Sequence, residues 1–154
     1  IIPGRIIKEK YVFFYNLQEN KEAREIAVYI SSRLGYKLIE FVGVIRKIYY
    51  PAGIKAFEGP ENFLSLLKYS DFVVTSSFHE VAFSIIFEKQ FYACLPWNNQ
   101  RVISLLNLFQ VQDRFIKDVK DVNLTRFMDY KIITPIVKYE KEKTIEYLHY
   151  AIGI

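Results

Sequence analysis

The stretch TSSFHE, Thr75 to Glu80, sets three hydroxyls, an imidazole and a carboxylate side by side. It follows the apolar run Phe72 to Val74 and heads a segment of helical spacing. A chain that leaves a strand and enters a helix there points unpaired backbone N–H groups at one spot, which attracts anions. Thr75, Ser76 and Ser77 add hydroxyl donors, and His79 adds the side-chain type that changes charge nearest neutrality. A phosphate or carboxylate suits such a place. The same residues also have a reading without a ligand. Ser77 and Glu80 stand at the three-residue spacing of a capping box, which satisfies a helix start internally, and a first-turn histidine can be a satisfied structural group.

The second polar cluster is LPWNNQR, Leu95 to Arg101, where Asn98, Asn99 and Arg101 follow an apolar run. Two amides and a guanidinium suit hydroxyl or phosphate recognition. They equally suit a helix start in which Asn98 or Asn99 caps and Arg101 is solvated. Trp97 fits a sugar-stacking or a packing role. In YNLQENKE, Asn16, Gln18 and Glu19 could bond a polyol, while Arg114 can pair with Asp113 or with a backbone carbonyl. No G-x-G-x-x-G, P-loop or paired cysteines occur, and His79 and His149 lie far apart in sequence, which argues against a dinucleotide fingerprint or a metal centre.

The elements that must position these groups follow from periodicity. Tyr11 to Tyr15 reads as a strand and Glu19 to Leu34 as a helix stopping at Gly35. Lys37 to Val42 is a second strand, and Val44 to Tyr50 a weaker third that could instead be an irregular excursion ending at Pro51. Gly59-Pro60 opens a helix over Glu61 to Tyr69. Strand Asp71 to Thr75, helix Phe78 to Phe87, strand Phe91 to Leu95 and helix Arg101 to Phe109 follow, and Lys141 to Ile152 forms a last helix carrying His149. Continuous apolar strands separated by helices predict a parallel sheet covered on both faces, an α/β, Rossmann-like fold. In such a sheet ligands bind beyond the carboxyl ends of the strands, so the loops Asn16–Asn20, Thr75–His79 and Pro96–Arg101 are the places to look.

Composition agrees with one domain. The chain has 154 residues, 51% hydrophobic, with 12 Tyr and 13 Phe, enough for a substantial core. Its 21 basic and 17 acidic residues are interspersed, giving a net charge of +4 that favours anions mildly and does not form a nucleic-acid stripe. Cys94, the single cysteine, lies in an apolar run and is expected to be a packed thiol in a reducing compartment. With no apolar run of about 20 residues, the expectation is a soluble, cytoplasmic protein. A start on Ile-Ile-Pro without Met points to a fragment.

Residues 59 to 116, GPENFLSLLKYSDFVVTSSFHEVAFSIIFEKQFYACLPWNNQRVISLLNLFQVQDRFI, resemble the C-terminal half of the polysaccharide pyruvyl transferase family. The likeness rests on a helix leading into D-x-V-V-T-S-x-x-H-G, then F-S-x-x-F-x-K-P-F, N-x-R-x-x-S-L-L and a D-R pair. The strand at Val12 to Leu17 and the closing EKEKTIEYLHYAI helix extend it. The resemblance implies the second Rossmann-like half of a two-domain transferase of the GT-B type, residues 1–10 being an interdomain linker and 11–154 the donor-binding domain.

It further implies transfer of pyruvate from phosphoenolpyruvate, as donor substrate without a cofactor, to a sugar of a cell-surface polysaccharide precursor, forming a ketal. His79 matches the family histidine, expected to hold the phosphate or protonate the donor's methylene carbon. Arg101 matches the arginine of the N-x-R loop. Thr75, Ser76, Ser77, Asn98, Asn99 and Asn16 complete the expected substrate contacts. Implied partners are phosphoenolpyruvate, a glycan acceptor, an N-terminal domain preceding this one and, peripherally, a membrane-bound lipid-linked glycan. Two residues depart from the pattern: Ser77 stands where many members have Arg, and Glu80 where they have Gly. The first loses a bidentate anion partner, and the second sets a carboxyl beside a multiply charged donor unless it turns back as a cap. The same fold would also serve a sugar-nucleotide glycosyltransferase or a non-catalytic carbohydrate-binding scaffold.

Overall fold

The computed structural model describes residues 2–16, 20–42, 47–49, 60–95 and 99–153. Strand β1 (Tyr11–Asn16) leads through helix α1 (Lys21–Leu34) to β2 (Lys37–Val42), and β3 (Lys47–Tyr49) follows. Helix α2 (Pro60–Tyr69) precedes β4 (Phe72–Thr75), α3 (Phe78–Ile86), β5 (Phe91–Ala93) and α4 (Gln100–Leu108). Two short 3₁₀ turns, Gln112–Arg114 and Val119–Asp121, connect to the long α5 (Tyr130–Ile152). The sheet order is β3-β2-β1-β4-β5, in which β2, β1, β4 and β5 run parallel.

The alternation of side chains along β1 divides the core in two. Tyr11 and Phe13 face a cluster with Leu66, Leu67, Val81, Ile85, Val102 and Leu106 from α2, α3 and α4. Val12 and Phe14 face Ala23, Ile26, Ala27 and Ile30 of α1. All four β1 residues are buried, and each large apolar side chain removed from water contributes about 1.5–3 kcal/mol. This is the expected doubly covered parallel sheet. Gly35 ends α1 in the left-handed conformation at φ 67°, a backbone shape that glycine adopts without a Cβ penalty.

Two elements differ from the sequence reading. β3 pairs antiparallel with β2, Val42 opposite Lys47. The short stretch between those residues allows only a local return, because a parallel strand would need a crossover of about a dozen residues or more. Of the proposed excursion, residues 44–46, 50 and 51 lie outside the described residues. Helix α5 begins at Tyr130 rather than near Lys141, capped by the Asp129 side chain on the Lys131 N–H at 2.9 Å. Pro135 lies inside it, where the missing N–H removes one helical bond; the buried Ile133 and the Tyr130 hydroxyl bound to the Lys89 carbonyl anchor that first turn.

The segment before β1 is docked on the domain. Ile7 is buried in the core, and Arg5 reaches Asp71 at 3.1 Å. The Ser65 hydroxyl donates to the Gly4 carbonyl at 2.8 Å.

Candidate functional site

β1 is followed by a crossover to β2 on one side, and its other neighbour β4 by a crossover to β5 on the opposite side. The carboxyl ends of β1 and β4 therefore form the point where the winding reverses and a crevice opens. Tyr15 and Thr75 are register partners there, and Thr75 is level with Ala93 of β5.

The turn from β4 into α3 is built by its own hydroxyls. The Ser76 N–H donates to the Tyr15 carbonyl at 3.2 Å, and the Ser76 hydroxyl approaches the same oxygen at 3.4 Å. The Ser77 N–H donates to Thr75 Oγ1 at 2.9 Å. Ser77 begins α3 and its carbonyl accepts the Val81 N–H at 3.2 Å. The N–H groups of Phe78, His79 and Glu80 belong to the first turn, which has no intrahelical acceptors for them. His79 is exposed on that turn, its ring edge-on to Phe78 at 5.6 Å. Thr75, Ser76 and Ser77 are buried beneath it.

The expected capping box does not form. The Ser77 side chain makes no capping bond. The Ser77 N–H, which a capping glutamate would need, is taken by Thr75. Glu80 turns inward and is 1% exposed, and neither carboxyl oxygen has a hydrogen-bond partner among the described residues. Burial drives its carboxyl well above the usual carboxylate range; the Thr75 side chain offsets this in part without meeting hydrogen-bond geometry. On β1, Tyr15 is raised by its own burial and then by Glu80.

Asn16 occupies the end of β1 and is 3% exposed. Its Nδ2 donates to Glu40 Oε1 at 3.2 Å and its Oδ1 accepts the Asn20 N–H at 2.7 Å. Asn20 caps α1 through the Ala23 N–H at 3.0 Å and donates to the Cys94 carbonyl at 3.3 Å. Glu40 also meets Arg24 at 3.1 Å. The Asn16 amide thus ties the end of β1 to β2 and to the residue that caps α1. Sequence reasoning missed the roles of Asn20 and Glu40. An asparagine just before a periodic helix was the available signal for the first.

Asn99 caps α4, accepting the N–H groups of Arg101 and Val102 at 3.1 and 3.3 Å. Arg101 is exposed, with its guanidinium 5.2 Å from the Phe78 ring centroid. That contact joins the heads of α3 and α4 and brings Arg101 to the same end of the sheet as His79. Beside it, Phe78, Gln100, Arg101, Ser104, Leu105 and Leu108 line an open groove of about 450 Å³. Asn98 and Trp97 lie outside the described residues.

Arg114 is buried and structural. It donates to the Arg126 carbonyl at 2.6 Å, lies 3.5 Å from Asp113 and covers the Tyr92 ring at 5.3 Å. Cys94 is buried, and burial pushes its thiol up to about 11. Among the described residues no cluster of three or more His, Cys, Asp or Glu could hold a metal ion. No described helix is long and apolar enough to cross a membrane.

A family model described as polysaccharide pyruvyl transferase matches residues 2–99, well over half of the chain. The match spans β1, β4 and the head of α3 with His79, and stops before Arg101. No significant match was found among curated proteins or solved structures.

Proposed function

The chain belongs to the polysaccharide pyruvyl transferase family, and on that premise we propose that it is the donor-binding half of an enzyme moving pyruvate from phosphoenolpyruvate to a sugar. Two hydroxyls of the acceptor form C–O bonds to the enol carbon; one of their protons goes to the methylene carbon, the other leaves with phosphate as the carbon–phosphate-oxygen bond breaks, and a ketal results. The acceptor belongs to a cell-surface polysaccharide precursor and meets the donor across a cleft to a preceding domain.

The observation that supports this reading is the placement of His79. An exposed imidazole stands on the first turn of α3, where backbone N–H groups open onto the crevice between β1 and β4. The N–H groups and Ser77 hold phosphate oxygens, His79 pairs with the phosphate or delivers the proton to the methylene carbon, and Arg101 offers a guanidinium to the remaining charge. Isotope-labelled protein titrated with phosphoenolpyruvate tests it. The expected result is a shift of the His79 and Ser77 resonances that disappears in His79→Ala. Tighter binding of a nucleoside diphosphate than of phosphoenolpyruvate would instead favour a sugar-nucleotide glycosyltransferase.

A further inference from the structure

Glu80 is the group that this reading leaves unexplained. It lies within the first turn of α3, one residue from His79, and its carboxyl is sealed from solvent with both oxygens unpartnered among the described residues. Buried polar groups almost always find partners, so an orphaned carboxyl at the edge of a candidate site calls for a role.

The surroundings define its state. From β1 it is faced by Tyr15, which is ringed by Phe41 of β2 and Phe63 of α2 at centroid distances of 5.5 and 5.3 Å. From β4 it is faced by the uncharged Thr75. On its own helix His79 is turned to solvent, and on α4 the Arg101 guanidinium covers Phe78. Among the described residues no cation pairs with it, so an ionised carboxylate there would be an uncompensated buried charge.

We propose that Glu80 is a positioning residue of the anion site that works as the neutral acid: uncharged, it lets a multiply charged donor sit at the head of α3, and as a carboxylate it expels that donor. The inference rests on the reading of that helix head as the donor's place. Burial raises the proton affinity of Glu80 and so widens the pH range over which the site accepts an anion. Because the group is sealed, salt screens its repulsion far less than it would screen a surface carboxylate. Glutamate at this position thereby coexists with an anionic ligand.

The test is sulfate binding, measured by calorimetry on the wild-type chain and on Glu80→Gln between about pH 6 and about pH 9, a range in which sulfate stays a dianion throughout. The ratio of the two affinities at each pH cancels every other titrating group, His79 included. The expected ratio is close to one at the acid end, with wild-type affinity falling about tenfold or more relative to Glu80→Gln as pH rises. Carbon-detected NMR of the wild-type Glu80 carboxyl provides a second measurement that needs no variant to fold, and should show the protonated acid at neutral pH. A flat ratio, or a Glu80 carboxylate at neutrality, overturns the inference and leaves the donor site standing. Absence of sulfate binding by both proteins at every pH overturns the inference and the donor site together.

Discussion

The hydroxyl of Thr75 accepts the backbone N–H of Ser77 at 2.9 Å, which ties the last residue of β4 to the residue that begins α3. That bond occupies the N–H a capping glutamate would have used, and Glu80 goes inward instead. Together with the Ser76 bonds to the Tyr15 carbonyl, this acceptor shapes the turn that carries His79.

Replacing Thr75 by Val keeps the shape and removes the acceptor, leaving the buried Ser77 N–H unpaired. The expected loss is about 1–3 kcal/mol in denaturant unfolding, accompanied by weaker phosphoenolpyruvate binding. Thr75→Ser retains the oxygen and should stay near wild type in both measurements. Equal behaviour of the two variants would remove Thr75 from this role.

His79→Ala should separate function from stability. An exposed side chain on a helix surface should change unfolding free energy by less than about 0.5 kcal/mol. If His79 acts as the proposed proton donor, its loss should lower pyruvyl transfer by about a hundred- to ten-thousandfold, assayed as ketal formation from phosphoenolpyruvate and a sugar acceptor. A variant with unchanged transfer would place His79 outside the chemistry.

Asn16 and Arg101 should behave in opposite ways. Asn16→Ala strips partners from Glu40 and from the Asn20 N–H, so it should destabilise the fold by about 1–3 kcal/mol. Arg101→Ala gives up an exposed guanidinium–ring contact and should reduce stability by about 0.5–1 kcal/mol. Anion affinity should nevertheless fall in Arg101→Ala. Thermal and calorimetric measurements on the two proteins check the contrast.

Glu80 also predicts how stability depends on pH. Its carboxyl holds a proton more tightly in the folded than in the unfolded chain, so over the interval between the two values the native state carries the extra proton. Stability from this group is complete below the unfolded value, near 4.5, and is lost as pH rises through the higher folded value. Each unit of displacement corresponds to about 1.4 kcal/mol. Glu80→Gln should therefore gain stability relative to wild type as pH increases, read from denaturation midpoints across the series. A difference that stays constant with pH would contradict the buried neutral acid.

Much of the architecture was legible from periodicity. The apolar runs at Tyr11–Tyr15, Phe72–Val74 and Phe91–Leu95 read as strands buried on both faces, because they are short and do not alternate with polar residues. Alternating them with the helical segments Glu19–Leu34 and Phe78–Phe87 predicted a wound α/β sheet, and that sheet put the segment after Thr75 at its carboxyl edge; which face of Phe78–Phe87 is buried, that of Val81 and Ile85, came from the structure. The position of His79 at a helix head followed.

Competition between partners was not legible, because spacing treats every candidate acceptor alike. Ser77 and Glu80 have capping-box spacing whether or not the box forms; here Thr75 Oγ1, two residues back, takes the Ser77 N–H, and packing draws Glu80 into the core. Asn16 reads as a polar loop residue until β2 brings Glu40 beside it. The early start of α5 has the same origin, since its proline-containing first turns are anchored by Lys89, distant in sequence. The chain's own pattern determined which elements exist and which end of the sheet gathers the candidate site. Which polar groups face a ligand and which are consumed by the fold was decided only when the strands met, since a hydrogen bond goes to the partner that packing brings within reach.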